Sequence, residues 1–261
     1  MHFLLRSRKK SRTVRQEGRK PVNRRNPYRL GVALVLVALL FTTSCTVTER
    51  LSFSKTSSHT SAFGFTVEDF FLAVLEDFSE FIPPEGDESL MDKAINDFER
   101  ALNYSYTTRD VAFTKLNNNA YEGTFIFTNL MQLVSDLGAG ANQSLLTVDA
   151  KSLKFFLSMD NYHQLVPVIP FLADENFEAF GPVYNQGLSE ADYLEMISFM
   201  LGEEGPPAIE QSFITLRIET PGPITTFTGG KKISSNVYEF SFPLIDFLLL
   251  AEPITFSVQW Q

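Results

Sequence analysis

The chain has 261 residues with 22 Lys and Arg against 31 Asp and Glu, but the charge is split: residues 1–44 hold 11 basic residues and one acid, Glu17, and residues 45–261 carry a formal charge of −19. So acidic a body excludes nucleic-acid phosphate as a partner, because displacing its counterions takes clustered Lys and Arg. Its 217 residues suffice to bury a sizeable core, and the lone cysteine, Cys45, excludes an intramolecular disulfide, a cysteine-based zinc site and a thiol redox pair.

The basic stretch, ending in Arg24, Arg25 and Arg29, runs into twelve apolar residues, 30–41, and then into Thr42, Thr43, Ser44 and Cys45. That order is a secretory signal peptide. Twelve residues at about 1.5 Å rise make a helix of about 18 Å, short of the ~30 Å hydrocarbon core, so a permanent transmembrane span is the weaker reading. A small residue before a lone cysteine at the end of a short apolar run resembles the lipobox of bacterial lipoproteins. Thr42, where a Leu is usual, makes it similar to the looser lipoboxes of spirochaetal lipoproteins. The resemblance implies a diacylglycerol thioether on Cys45, with an amide-linked acyl chain such as palmitate on the new N-terminus. The chain divides accordingly into residues 1–44, a lipoprotein signal peptide with a basic n-region, and residues 45–261, a single domain. An uncleaved N-terminal anchor with an inert thiol is the alternative, and both readings tether the chain to a membrane.

Val47, Glu49, Leu51 and Phe53 alternate with polar residues, as in a half-buried strand. A Ser/Thr-rich linker at residues 56–61 follows. Thr66 with Asp69 then opens a helix whose Val67, Phe70, Phe71, Val74, Leu75 and Phe78 share one face, ended by Pro83 and Pro84. The next helix turns Leu90, Met91, Ala94, Ile95, Phe98 and Leu102 inward and Asp92, Lys93, Asp97, Glu99 and Arg100 outward, and the pair is expected to pack across the turn at 82–88. Val111 and Phe113, then Tyr121, Phe125 and Phe127, flank Asn117, Asn118 and Asn119 as a hairpin. A short helix at 130–137 stops at Gly138, and residues 145–148 and 153–157 read as another strand pair. Ser189 and Asp192 cap a helix with Tyr193, Leu194, Ile197, Met200 and Leu201 inward, ending at Gly202. Strands follow at Ile214, Leu216 and Ile218; at Tyr238, Phe240 and Phe242; and at Ile254, Phe256, Val258 and Trp260, the last entered through Pro253. Residues 244–251 are apolar on every side and are expected to be buried.

Strands at both chain ends, helices between them, and one apolar face per strand define an α+β fold with antiparallel sheet packed on amphipathic helices. The layout, with Cys45, Glu49, Pro221 and Trp260, is similar to the LppM-like bacterial lipoproteins. What that resemblance implies is a cell-envelope module in which a sheet grips helices, a helix-grip-like arrangement, in a group for which lipid binding has been proposed.

Chemistry is sparsely represented. Beyond the signal segment the only histidines are His59, in the Ser/Thr linker, and His163, read as surface or partly buried; a histidine-rich metal site cannot be assembled. The nucleophile elbow, the His-Glu-x-x-His pair, the phosphate loop and the dinucleotide fingerprint are all missing from the sequence. Gly138, Ala139 and Gly140 read as a helix stop, and Asp174, Glu175, Glu178, Glu203 and Glu204 as solvated surface charge. No enzyme, metal or cofactor is expected. The unusual residue is Phe, 25 of 261. Ordinary core is its first reading; the functional alternative is an apolar cavity lined by Phe70, Phe71, Phe125, Phe127, Phe199 and Phe240 that binds an apolar ligand such as a lipid. Two functions stay open: that binding module, facing the periplasm or the exterior, and a structural or protein-interaction component of the envelope.

Overall fold

The computed structural model describes residues 45–69, 72, 89–173 and 178–261. The signal segment, Phe70, Phe71, Val74, Leu75, Phe78, the prolines at 83 and 84, the 82–88 turn, Asp174 and Glu175 lie outside the described residues.

The fold is α+β, with two sheets. Strands β1 (Thr46–Ser52), β2 (His59–Thr66), β3 (Thr108–Asn117), β4 (Ala120–Phe127), β7 (Phe213–Glu219), β9 (Lys231–Lys232) and β10 (Val237–Pro243) form the larger sheet, in the order β3-β4-β2-β1-β7-β10-β9. Strands β5 (Leu146–Asp149), β6 (Ser152–Leu157), β11 (Ile254–Trp260) and β8 (Ile224–Thr228) form the smaller, in the order β5-β6-β11-β8. All pairs are antiparallel except β1 and β7, which run parallel from Thr46↔Phe213 to Ser52↔Glu219. Four of the eight antiparallel pairs, β1–β2, β3–β4, β5–β6 and β9–β10, are joined by short turns, whereas the other four and the parallel pair are closed by longer stretches of chain.

Strand β2 corrects the expected linker and helix start. The turn is confined to residues 53–58, where the Ser54 hydroxyl donates to the Ser58 carbonyl (2.8 Å) and accepts from the Thr56 backbone N–H (3.0 Å). From His59 the chain pairs with both β1 and β4. Ser and Thr suggested a loop, but Thr suits a pleated surface, and Phe63 and Phe65 supply the period of two. Thr66 is therefore the last residue of β2 rather than a helix cap, and the Asp69 carboxylate takes the Asn119 side-chain amide at 2.7 Å.

Helix α1 (Leu90–Tyr104) starts where Ser89 accepts the Asp92 N–H, and it buries Met91 and Leu102. Its Phe98 packs on Phe63 and Phe113 of the larger sheet. Asp92, expected outward, instead ties helix to sheet, accepting from Lys115 Nζ (2.8 Å) and the Tyr121 hydroxyl (2.6 Å). The β3–β4 hairpin turns at Asn118 and Asn119 as expected. Helix α2 (Leu130–Val134) continues into a wider turn, Ser135–Ala139, which ends where Gly138 adopts φ 115°. Among the described residues the short helices α3 (Tyr162–Leu165) and α5 (Gly205–Glu210) and the strands β8 and β9 were not expected from the sequence.

Helix α4 (Glu190–Leu201) has the expected capping box at Ser189 and Asp192, and with α5 and α6 (Leu244–Leu249) it builds a core of Tyr193, Ile197, Leu201, Ile209 and Ile245. Residues 244–251, expected to be buried throughout, are thus a helix over Leu244–Leu249 with Ile245 and Phe247 buried and Asp246 exposed, ended by buried Leu250 at φ 43° and exposed Ala251. Between the sheets lies the main core, with Leu51, Phe53, Phe127, Ile218, Tyr238, Phe256, Val258 and Trp260. Among the described residues no helix is long and apolar enough to cross a membrane.

Candidate functional site

At one end of this core, where β1, β4 and β11 finish and β2 starts, the sheets part around a cleft of about 200 Å3. Phe53, His59, Leu130, Met131, Pro221 and Trp260 give it an aromatic and apolar lining, with Asn129 and Asp149 among its polar groups. The His59 ring lies 5.2 Å from that of Phe53 and 5.3 Å from that of Phe127, and Trp260 stacks on Phe53 at 5.7 Å. His59 Nδ1 accepts the Ser54 backbone N–H at 3.1 Å, so in the neutral ring the proton sits on Nε2. Burial holds the His59 pKa below its ordinary 6.5, which favours that neutral form.

Backbone features set the walls. The Asn129 side chain caps α2 by accepting the Gln132 N–H at 3.1 Å, which fixes Leu130 and Met131 at the first turn. The Trp260 N–H donates to the Lys151 carbonyl (3.0 Å), anchoring the β5–β6 turn beside it, and Ser152 Oγ donates to Asp149 (3.0 Å). On the other side the Thr220 hydroxyl donates to the Gly222 carbonyl (2.7 Å) and shapes the turn that presents Pro221. A cleft of this size accepts a ring-sized apolar group rather than a whole drug-sized ligand, for which pockets of ~300–1,000 Å3 are usual.

Of the six phenylalanines expected to line one cavity, Phe70 and Phe71 lie outside the described residues, and the other four do not share a cavity wall. Phe125 is packed in the main core, and Phe127 backs the cleft through its ring contacts with His59 and Phe53. Half-buried Phe240 packs at a tilt against Phe242 and Phe256. Phe199 is 92% exposed, which corrects its assignment to a cavity wall. Tyr193, Ile197 and Leu201 define the buried face of α4, and Phe199 lies two residues from Ile197 and from Leu201, about 200° around the helix. None of the cleft residues Phe53, His59, Leu130, Met131, Pro221 and Trp260 was in the expected set. The alternation His59, Ser61, Phe63, Phe65 was the available signal for His59.

Two further groups stand out. Glu49 lies on the inner, apolar face of β1, in register with Phe63 and Leu216, and accepts Ser61 Oγ at 2.6 Å. Burial pushes its pKa up to about 7, with the Ser61 bond opposing. Cys45, immediately before β1, is a half-buried free thiol whose Sγ accepts the Glu68 N–H at 3.4 Å; burial raises its pKa. His163, Glu178, Glu203 and Glu204 are exposed, and the described residues contain no group of three His, Cys, Asp or Glu arranged to hold a metal.

Fold and site together define a two-sheet α+β domain whose cleft lies at the far end of its first strand. No protein-family model matches the chain, and no curated protein matches it. Among solved structures it has a weak similarity to the folded domain of the Mycobacterium tuberculosis protein LppM, determined by NMR. The TM-score is 0.36 at 11% identity, covering 83% of this chain and 89% of that one.

Proposed function

We propose that this chain is a lipid-anchored protein of a bacterial cell envelope, held by Cys45 and facing the periplasm or exterior, whose domain binds the apolar part of a small ligand without chemical conversion. The observation that carries the reading is the cleft, where Phe53, His59, Leu130, Met131, Pro221 and Trp260 converge on about 200 Å3. Ligand sites combine apolar walls with placed polar groups, and Ser54, His59, Thr128, Asn129 and Asp149 supply the polar groups here, an ample share for a ligand with one apolar part. The anchor rests on the order of basic run, short apolar run and lone cysteine. Trp260 makes the test direct. Anilinonaphthalene sulfonate seated in the cleft would accept excitation energy from it, and Met131→Glu should abolish that transfer while leaving the melting curve unchanged. Equal transfer in both proteins would overturn the cleft as binding site. Cys45→Ala should move the protein from the membrane to the soluble fraction or leave it unprocessed; a normal-sized, membrane-bound variant would overturn the anchor.

A second reading, a protein-interaction component of the envelope, draws on Phe199, an aromatic ring left 92% exposed on an ordered helix. Phe199→Ser would weaken capture of a partner protein under that reading and leave probe binding untouched.

A further inference from the structure

The lipid anchor proposed above and the cleft occupy opposite ends of one strand. Cys45 directly precedes β1, so no flexible spacer separates a membrane attachment from the folded sheet. Phe53 follows the other end of β1, eight residues on, which at ~3.3 Å per residue is about 26 Å away. The remaining strands agree with that axis. Strand β7 starts beside Cys45, with Phe213 paired to Thr46, while β2 and β10 end there at Thr66 and Pro243. At the opposite end His59 pairs with Phe127, and Phe53 donates its N–H to the Glu219 carbonyl just before the Pro221 turn.

The Cys45 end also carries an exposed aromatic side chain. Phe213 is 45% exposed, beside Thr46 on the face of the sheet that otherwise displays Thr48, Arg50, Thr215 and Arg217. An aromatic ring at the attachment point suits the boundary between headgroups and acyl chains. Glu68, whose backbone N–H meets Cys45 Sγ, and Asp69, which takes the Asn119 amide beyond the end of β2, bring two carboxylates to this end, while Lys115, level with Phe65 across β4, is paired with Asp92. The remaining negative charge disfavours anionic lipid and suits the ammonium of a zwitterionic headgroup.

We infer that the domain stands on a bilayer of zwitterionic lipid at its Cys45 end, with Phe213 at the interface, so that the cleft opens about 26 Å away on the aqueous side and takes its ligand from solution rather than from the membrane beneath. This rests on the lipid-anchor reading.

Trp260, the sole tryptophan, is a built-in reporter at the cleft end. The full chain, produced in a lipidating bacterium, is reconstituted into phosphatidylethanolamine–phosphatidylcholine vesicles with and without brominated phosphatidylcholine, whose bromines quench only nearby indoles. Flotation with the vesicles and the mass of the N-terminal peptide test the anchor separately. The wild type is expected to float with unquenched Trp260 emission, and Phe213→Trp to float and lose most of its added emission. Thr46→Trp, at the same end, gives the same readout should Phe213→Trp misfold. Floating protein whose Trp260 is quenched as strongly as the added tryptophan would show a domain lying flat or inverted and overturn the orientation. An added tryptophan left unquenched would do likewise. Failure to float overturns the anchor reading and, with it, this inference.

Discussion

Glu49 makes stability depend on pH in a direction that can be worked from the structure. Its carboxyl belongs to the apolar face of β1, between Phe63 and Leu216, and burial raises its pKa from an ordinary 4.5 to about 7. The folded state therefore holds this proton more tightly than the unfolded chain does. Its contribution is full below about 4.5, is lost as pH rises toward about 7, and levels off above. At ~1.36 kcal/mol per pH decade the ceiling is about 3 kcal/mol. Glu49 as a whole residue is only half-buried, so about 1–2 kcal/mol is the expectation. Glu49→Gln keeps an acceptor for Ser61 and removes the titration. Urea unfolding of both proteins from pH ~5 to ~8 should show the wild type losing about 1–2 kcal/mol relative to the variant as pH rises. His59 has its pKa lowered and acts in the opposite sense, losing stability as pH falls below its ordinary 6.5, but it is present in both proteins and cancels in the difference. A wild-type-minus-variant difference that stays constant across the range would refute the placement of Glu49 in an apolar environment.

Two packing predictions are independent of the titration. Trp260 is 5% exposed and stacked on Phe53, so Trp260→Ala should cost about 3–5 kcal/mol, a large share of the ~5–15 kcal/mol typical of a domain. Iodide quenching of native Trp260 at the level of free indole would contradict this. Gly123 faces Phe63 across the β2–β4 pair, and a Cβ there would lie 2.6 Å from Phe113 Cδ1 and closer still to the Phe63 ring. Those rings are held by Phe98, so Gly123→Ala should lower stability by about 1–3 kcal/mol through overpacking; an unchanged melting temperature would show that they yield freely.

Much of the fold was legible because its signals are local. The alternation of Ile254, Phe256, Val258 and Trp260 is a property of seven consecutive residues, and all four side chains are buried. The capping box at Ser189, the Asn turn of the β3–β4 hairpin and the Gly138 stop likewise depend on backbone geometry that the residue types themselves favour. Strand β2 was less legible, because His59, Thr60 and Ser61 resemble a linker until β1 and β4 on either side supply their hydrogen bonds.

The candidate site was not legible in the same way. The sequence could mark phenylalanines as apolar but not say which of them share a wall: Phe199 falls on the solvent side of α4 once Ile197 and Leu201 take the core, and Phe125 is absorbed into packing. The cleft needs the turn after Ser52, the Pro221 turn, the start of α2 and the end of β11 to meet, segments brought together by sheet pairing across more than a hundred residues. By itself the sequence determined the α+β class and most of the strands, since periodicity and turn chemistry act over short stretches of chain. Only the tertiary structure decided the parallel β1–β7 pair, the desolvation of Glu49 and the setting of His59 between Phe53 and Phe127, because pairing and burial are made by residues distant in sequence.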